Sequence, residues 1–251
     1  MYLLHVFHNI FFPLMRILSV FWMVPIFSER VIGIKIKILL SMLISFIIYP
    51  FIPNSSIDLF SLDSLMIIIH QIIIGLVLGF VIQIVFTSIN IAGEIVSTQI
   101  GLSFANFFDH LHSANVFIIS RLFNVITLFV FLTLNGHLWI IWMIYISFQF
   151  IPISVYIFNF NLFLVIVKFA SYLFFMSFKL SFPVILLLLS LTCIMSFLNR
   201  VSPQISIFSI GFSVVLIVGL CLIYLLIPIL IPVLQHICMD MQYFSFFNGE
   251  E

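Results

Sequence analysis

An all-helical integral membrane protein is the fold class that the sequence predicts. Of its 251 residues, 65% are hydrophobic and only 6% are charged, whereas soluble domains average about 45–50% apolar and about 25% charged residues. The long apolar runs lack the alternation typical of a membrane barrel strand, which leaves helices as the structures that can pair every backbone group in lipid. Eight Lys and Arg balance eight Asp and Glu, so no excess of positive charge favours binding to nucleic acid.

Stretches without charge divide the chain into elements, because a helix needs about 20 apolar residues to cross a bilayer. The first hydrophobic run covers residues 10–27 and carries Arg16, and the second ends near Ile52. The clearest polar loop follows at residues 54–63. Residues 65–93 carry no charge, which predicts one long helix.

The middle of the chain is expected to be more broken. Glu94 is expected to interrupt the long helix, and a semi-polar segment follows at residues 95–115. The uncharged run over residues 122–167 contains Asn-Gly-His at 135–137 and then Pro152. Since such residues favour turns, we expect two breaks within this run.

Two further apolar runs, at residues 180–198 and 205–234, complete the pattern. The chain is therefore expected to form six to seven hydrophobic, partly broken helices. Because no internal repeat divides them, we expect a single membrane domain over residues 1–251. Its hydrophobic core covers about residues 10–235, and residues 236–251 form a polar C-terminal tail.

Small residues recur at four-residue spacing along the long uncharged run and the segment after it. This spacing lets two helix backbones approach each other closely. The residues are Gly75 and Gly79, and then Gly93, Ser97, Gly101 and Ala105. They predict that the helix face that carries these small residues packs closely against another helix.

Ionisable residues beside or within apolar runs are candidates for function, because burying a charge in a membrane is costly. They are Glu94, Asp109, Arg121, Lys168, Lys179 and Arg200. A transporter would place such groups at broken helices around a midplane site. The alternative is that they lie at helix ends or pair with partner subunits.

Catalytic motifs are missing from the sequence. It contains no HExxH, P-loop or dinucleotide-binding glycine pattern, and its histidines and cysteines lack metal-ligand spacing. Ser103 could act as a nucleophile with His137 as its base, but the full nucleophile elbow is lacking, so a structural serine is favoured. We expect no enzymatic activity, no cofactor and no metal site.

An aromatic segment at residues 104–112 separates two helical runs. It contains Phe104, Phe107 and Phe108, followed by Asp109. Hydrophobic constrictions can close a pore by excluding water. An ordinary interhelical loop with apolar anchors explains the same residues.

Several motifs together resemble one family. They are Phe-Ser-Glu-Arg-Val at 27–31, Gly-Glu at 93–94, Gln-Ile-Gly-Leu-Ser-Phe-Ala at 99–105, Leu-Thr-Leu-Asn-Gly-His-Leu-Trp at 132–139, and the block at 198–212 with Asn199, Arg200, Pro203 and Gln204. In this order and spacing, over roughly residues 14–232, the chain resembles the flagellar export proteins of the FliR family and their injectisome counterpart, the T component of type III secretion.

The resemblance implies a role in protein export. Members of this family form the core of the export gate in the bacterial inner membrane, within the flagellar basal body. They assemble with the P and Q components and other membrane subunits of the apparatus into a helical, shallow superhelical core, which passes unfolded flagellar proteins. A separate ATPase and the proton-motive force supply the energy, so no nucleotide or cofactor site is expected in this chain.

The resemblance also suggests roles for individual residues. The family's loop matching residues 104–114 is a pore plug, which implicates Phe104, Phe107, Phe108 and Asp109, although the family usually has Asp-Pro where this chain has Asp109–His110. Contacts between subunits or buried pairing are assigned to Glu94, Arg121, Arg200 and Gln204. Gln204 and Asn135 are also expected to satisfy backbone groups at the adjacent breaks.

Two other functions stay open. The same component of a virulence or symbiosis injectisome would have similar motifs. A small-solute secondary transporter would use intramembrane charges, but it typically contains an inverted repeat, and none is apparent in this sequence.

Overall fold

The all-helical class is confirmed by the computed structural model, which describes residues 2–28, 32–52, 62–102, 117–153, 161–201 and 207–243. Within these ranges the chain forms only helices and short turns. The α-helices are α1 (Tyr2–Met23), α2 (Pro25–Ser28), α3 (Ile34–Ile48), α4 (Leu62–Ile100), α5 (Ile118–Thr133), α6 (Gly136–Phe150), α7 (Asn161–Val201) and α8 (Ile207–Tyr243), and a 3-10 turn (Tyr49–Phe51) follows α3.

Several of these helices have the length and composition of a membrane span. Four stretches in the described part of the chain qualify: Ile34–Phe51, Asp63–Ile100, Ala170–Leu198 and Gly211–Val233. Helices α5 and α6 meet at a bend of 68°, and together they would make a fifth span. Helix α1 contributes a shorter apolar stretch, Ile10–Met23.

The prediction of a helix break at Glu94 is wrong. Helix α4 continues through this residue and ends at Ile100. The amide nitrogen of Asn90 donates a hydrogen bond to Glu94 Oε1 at 3.2 Å, one turn away on the same helix. Because Glu94 is only half-buried, the helix accommodates its carboxylate without a break.

The breaks expected at residues 135–137 and at Pro152 are confirmed. Asn135 adopts a left-handed conformation with φ of 56° and precedes α6, which ends at Phe150. The Asn135 side chain makes no capping hydrogen bond at the start of this helix. Its backbone carbonyl instead accepts the N–H groups of Leu138 and Trp139 at 2.9 and 3.2 Å.

The chain packs as two compact units. The first comprises residues 1–85, 135–170 and 241–251, and the second comprises residues 86–134 and 171–240. Helices α4, α7 and α8 each contribute to both units. The single domain expected from the sequence stays a prediction.

Each unit has its own interior. In the first, α1 packs against α3, and the Ser45 hydroxyl donates a hydrogen bond to the Ile10 carbonyl at 2.9 Å. In the second, an apolar cluster is formed by α4, α5, α7 and α8. Its fully buried members include Ile100, Phe123 and Leu188.

Candidate functional site

Helix α4 ends in a sharply defined turn immediately before residues 103–116. Gly101 has a φ of 88°, a backbone conformation that suits a residue without Cβ. Its N–H donates to the Thr98 carbonyl at 3.1 Å, and the Leu102 N–H donates to the Ser97 carbonyl at 3.2 Å. These two bonds form a Schellman motif, which satisfies the last carbonyls of a helix and turns the chain away from its axis.

Helix α5 begins just after the same segment, and its backbone lies directly against α4. A Cβ added at Gly93 would lie 2.6 Å from Ser120 Cα, so only glycine fits there. The Ser120 hydroxyl also donates a hydrogen bond to the Asn90 carbonyl at 3.1 Å. Residues 103–116 therefore connect two helices that contact each other backbone to backbone.

The residues assigned to the pore plug lie in this connecting segment, outside the described residues. They are Phe104, Phe107, Phe108 and Asp109. Gln204 and Ser103 also lie outside the described residues. His137, the base considered for Ser103, is exposed at the start of α6.

Of the remaining charged candidates, three are exposed and one is half-buried in the described structure. Glu94 accepts a hydrogen bond from its helix neighbour Asn90. Arg121 is exposed near the start of α5, and Arg200 is exposed in the last turn of α7, where a positive charge interacts favourably with the helix dipole. Lys179 is exposed in the middle of α7. The exposed cations can reach groups outside this chain.

Among the described residues, the charged side chain with the most hydrogen bonds is that of Arg16, which was not among the charged candidates predicted from the sequence. Arg16 is fully buried. Its Nε donates to Gln71 Oε1 at 2.7 Å, its Nη1 to Ser147 Oγ at 3.1 Å, and its Nη2 to the Ile151 carbonyl at 2.9 Å. The guanidinium carbon lies 4.1 Å from the ring centre of Phe148.

These contacts join three helices of the first unit. Arg16 lies on α1, Gln71 lies on α4, and Ser147 and Phe148 lie on α6. The acceptor Ile151 directly follows α6, so the guanidinium lies at the partially negative end of that helix, where a cation is favoured. A lone arginine in the apolar run at residues 10–27 is the signal that could have identified this site, because intramembrane charges are rarely without a role.

Glycines at the predicted GxxxG step bring α4 against α1. A Cβ at Gly75 would overlap the Arg16 carbonyl oxygen and lie 2.7 Å from Ser19 Cβ. A Cβ at Gly79 would lie 2.6 Å from Met23 Cβ. This close approach places Gln71, one turn before Gly75, within hydrogen-bonding distance of the Arg16 side chain.

Comparison with known proteins gives a match along nearly the whole chain. Residues 7–241 match the family model described as bacterial export proteins, family 1. The chain is 47% identical over 236 residues to the flagellar biosynthetic protein FliR of Buchnera aphidicola subsp. Acyrthosiphon pisum, covering 94% of this chain and 92% of the relative.

Two other relatives carry the same name. The protein of Buchnera aphidicola subsp. Schizaphis graminum is 41% identical over 240 residues, which cover 96% of this chain and 93% of the relative. The protein of Escherichia coli strain K12 is 40% identical over 227 residues, which cover 90% and 87%. With four to five membrane-length helices in its described residues, the chain is a multi-pass inner-membrane protein, and it belongs to family 1 of the bacterial export proteins, together with these flagellar biosynthetic proteins.

Proposed function

We propose that this chain is a subunit of the flagellar type III export gate, where it assembles with the P and Q components and contributes a plug formed by residues 104–114. The observation that carries the proposal is the close pairing of α4 and α5 on either side of that segment. A plug must be held at both ends if it is to close a pore and return to the same place after each opening.

The helix pair provides this attachment. At one end, the Schellman turn at Gly101 fixes the direction in which the chain leaves α4. At the other end, α5 is held against α4 by the contact between Gly93 and Ser120. Between them the sequence supplies three phenylalanines, whose apolar rings suit a constriction that excludes water.

Exposed apolar surface on the second unit supports assembly with other membrane subunits. Phe174, Phe175, Phe178 and Phe182 of α7 are all at least 43% exposed. Arg200 lies exposed at the end of the same helix. We expect a partner helix to cover these rings and to supply an acidic group that pairs with Arg200. Glu94, Arg121 and Gln204 are proposed as further subunit contacts.

Assembly can be tested by native mass spectrometry. The tagged chain is co-expressed with the P and Q components and extracted in mild detergent, and we expect one copy of it in a large complex containing both partners. Arg200→Ala should lower the yield of this complex, whereas Lys35→Ala, which removes an exposed cation of the first unit, should not. A stable species of this chain alone, with both partners expressed, would contradict the proposed assembly.

The plug can be tested separately by deleting residues 107–109 in the assembled complex. We expect the closed gate to conduct small ions, measured as ion flux into vesicles that contain the purified complex. A matched deletion of residues 54–56 in the polar loop controls for the loss of three residues. A mutant gate as tight as the wild type would contradict the assignment of the plug.

A further inference from the structure

The buried polar centre around Arg16 contains more hydrogen-bond donors than acceptors. A guanidinium has five N–H groups and no acceptor, and Arg16 donates three of them to the acceptors given above. Gln71 must turn its Oε1 toward Arg16, because its amide nitrogen would oppose one donor with another. Its Nε2 is buried and has no hydrogen-bond partner in the described part of the chain. Donors of both side chains therefore remain without an acceptor among the described residues.

The same centre contains a positive charge that its described neighbours do not balance. Every group that accepts a hydrogen bond from Arg16 there is neutral, and the ring of Phe148 is its other close contact. The C-terminal end of α6 contributes only about half of one negative elementary charge. Since a buried charge is costly unless it is paired and hydrogen-bonded, both the spare donors and the spare charge favour a negatively charged ligand.

We propose that this centre binds one small anion, a carboxylate group or a halide ion, between Gln71 Nε2 and the guanidinium of Arg16. The Nε2 and Oε1 atoms of Gln71 are bonded to one carbon, so the unpartnered N–H groups lie beside the guanidinium. An anion there accepts hydrogen bonds from both side chains and balances the charge, and such charge-assisted bonds are the stronger ones. A water molecule would instead bring two more donors to a centre that already has an excess of them.

The anion would form part of the interior of the first unit. Arg16 lies on α1 and Gln71 lies on α4, and one turn further along α4 the absence of a side chain at Gly75 lets the two helices approach. An anion between them stabilises this contact. If the anion comes from solution, the stability of the protein depends on its concentration. If it is the carboxylate of an acidic side chain, no such dependence exists. The inference is independent of the proposed role in export.

Thermal unfolding of the purified full-length chain in mild detergent distinguishes these two sources. Sodium formate or sodium chloride replaces sodium gluconate at constant ionic strength, because gluconate is too large for a buried centre. For an anion from solution, we expect the melting temperature to rise by about 3–6 °C at a tenfold excess over the dissociation constant. For an acidic side chain, the wild type should not respond. One of eight single variants, in which each Asp is changed to Asn or each Glu to Gln, should then respond to formate.

The decisive variant is Gln71→Glu. Its carboxylate can accept from Arg16 Nε as the amide oxygen does now, it balances the charge, and it removes the unpartnered N–H groups. We expect it to abolish the response to formate, whether it is introduced into a responsive wild type or into the responsive acidic variant. Where Gln71→Glu does not fold, Gln71→Met removes the same donors at similar volume. It should raise the dissociation constant about tenfold, as expected for losing a hydrogen bond to a charged group.

A matched control excludes a general effect of anions on the protein surface. Lys35→Met removes an exposed cation of the first unit and should leave the response to formate unchanged. If neither the wild type nor any of the eight acidic variants responds to formate or chloride, the centre binds no anion and the inference is overturned. A response that persists at full strength in the Gln71 variants, or that disappears in Lys35→Met, would also overturn it, because the anion would then act elsewhere.

Discussion

The interiors of the two units contrast in chemistry. Among the described residues of the first unit, the largest fully buried side chain is that of Arg16, which is hydrogen-bonded to groups on or beside two other helices. In the second unit, the cluster around Phe123 and Leu188 is apolar, the buried polar side chains are serines and one threonine, and α4 meets its neighbours at Gly93 and Gly219. Among the described residues, the first interior therefore contains a charged side chain bonded between helices and the second does not.

This contrast indicates how each unit responds to displacement. Hydrogen bonds weaken steeply when their geometry is disturbed, so the Arg16 contacts favour a single arrangement of α1, α4 and α6. Apolar contacts are not directional, and their arrangement is set by how closely the surfaces fit. In the second unit, the close approach at Gly93 and Gly219 therefore sets the separation of the helices.

The largest loss in the free energy of unfolding is expected from removing the buried guanidinium of Arg16 from the first unit. Arg16→Ala leaves Gln71, Ser147 and the Ile151 carbonyl without their buried donor, and we expect a loss of about 3–5 kcal/mol in the free energy of unfolding. Thermal unfolding of the purified complex in mild detergent measures it. Arg16→Lys keeps the charge but lacks the planar set of donors, so its effect should be intermediate. An unchanged melting temperature for Arg16→Ala would remove the contrast between the units.

A smaller loss in the free energy of unfolding is expected from replacing Gly75, which lets α4 approach α1 closely. Gly75→Ala forces the Arg16 backbone and Ser19 to move, and overpacking of this kind costs about 1–3 kcal/mol. Gly33 is the matched control, because a Cβ at that position meets nothing within 4 Å. Equal unfolding temperatures for Gly75→Ala and Gly33→Ala would show that α1 and α4 are not in close contact.

The smallest effect on the free energy of unfolding is expected from removing the hydrogen bond between Ser120 and Asn90 in the second unit. Ser120→Ala removes the hydrogen bond to the Asn90 carbonyl, which we expect to cost about 1 kcal/mol, less than any Arg16 variant. Ser190→Ala is the control, because this exposed serine donates its hydrogen bond to Leu187 of its own helix. A loss at Ser120 as large as that for Arg16→Ala would mean that both units depend equally on polar bonds.

Local signals predicted much of the fold. The breaks at Asn135–Gly136 and Pro152 follow from residues that favour turns, and they occur where expected. A carboxylate in an apolar run predicts a helix boundary at Glu94, but the helix continues there because Asn90, one turn away, donates a hydrogen bond to that carboxylate.

The contacts of Arg16 could not be derived from the sequence, because its partners are 55, 131 and 135 residues away. An arginine in an apolar run is buried only if other helices cover it, and those helices come together only in the folded chain. The contact between Ile100 of α4 and Gly219 of α8 could not be predicted for the same reason. A glycine in the last hydrophobic run indicates only that the helix is locally less stable.

The lengths of two helices have a consequence for how the chain lies in the membrane. Helix α4 has 39 residues and α7 has 41, so at about 1.5 Å per residue they extend roughly 58 and 61 Å. The hydrocarbon layer is only about 30 Å thick, yet the apolar stretch of α4 continues for 38 residues. At right angles to the bilayer, about half of that stretch would lie beyond the lipid tails, so the tilt and depth of α4 are set by the surfaces that it packs against and not by its own hydropathy.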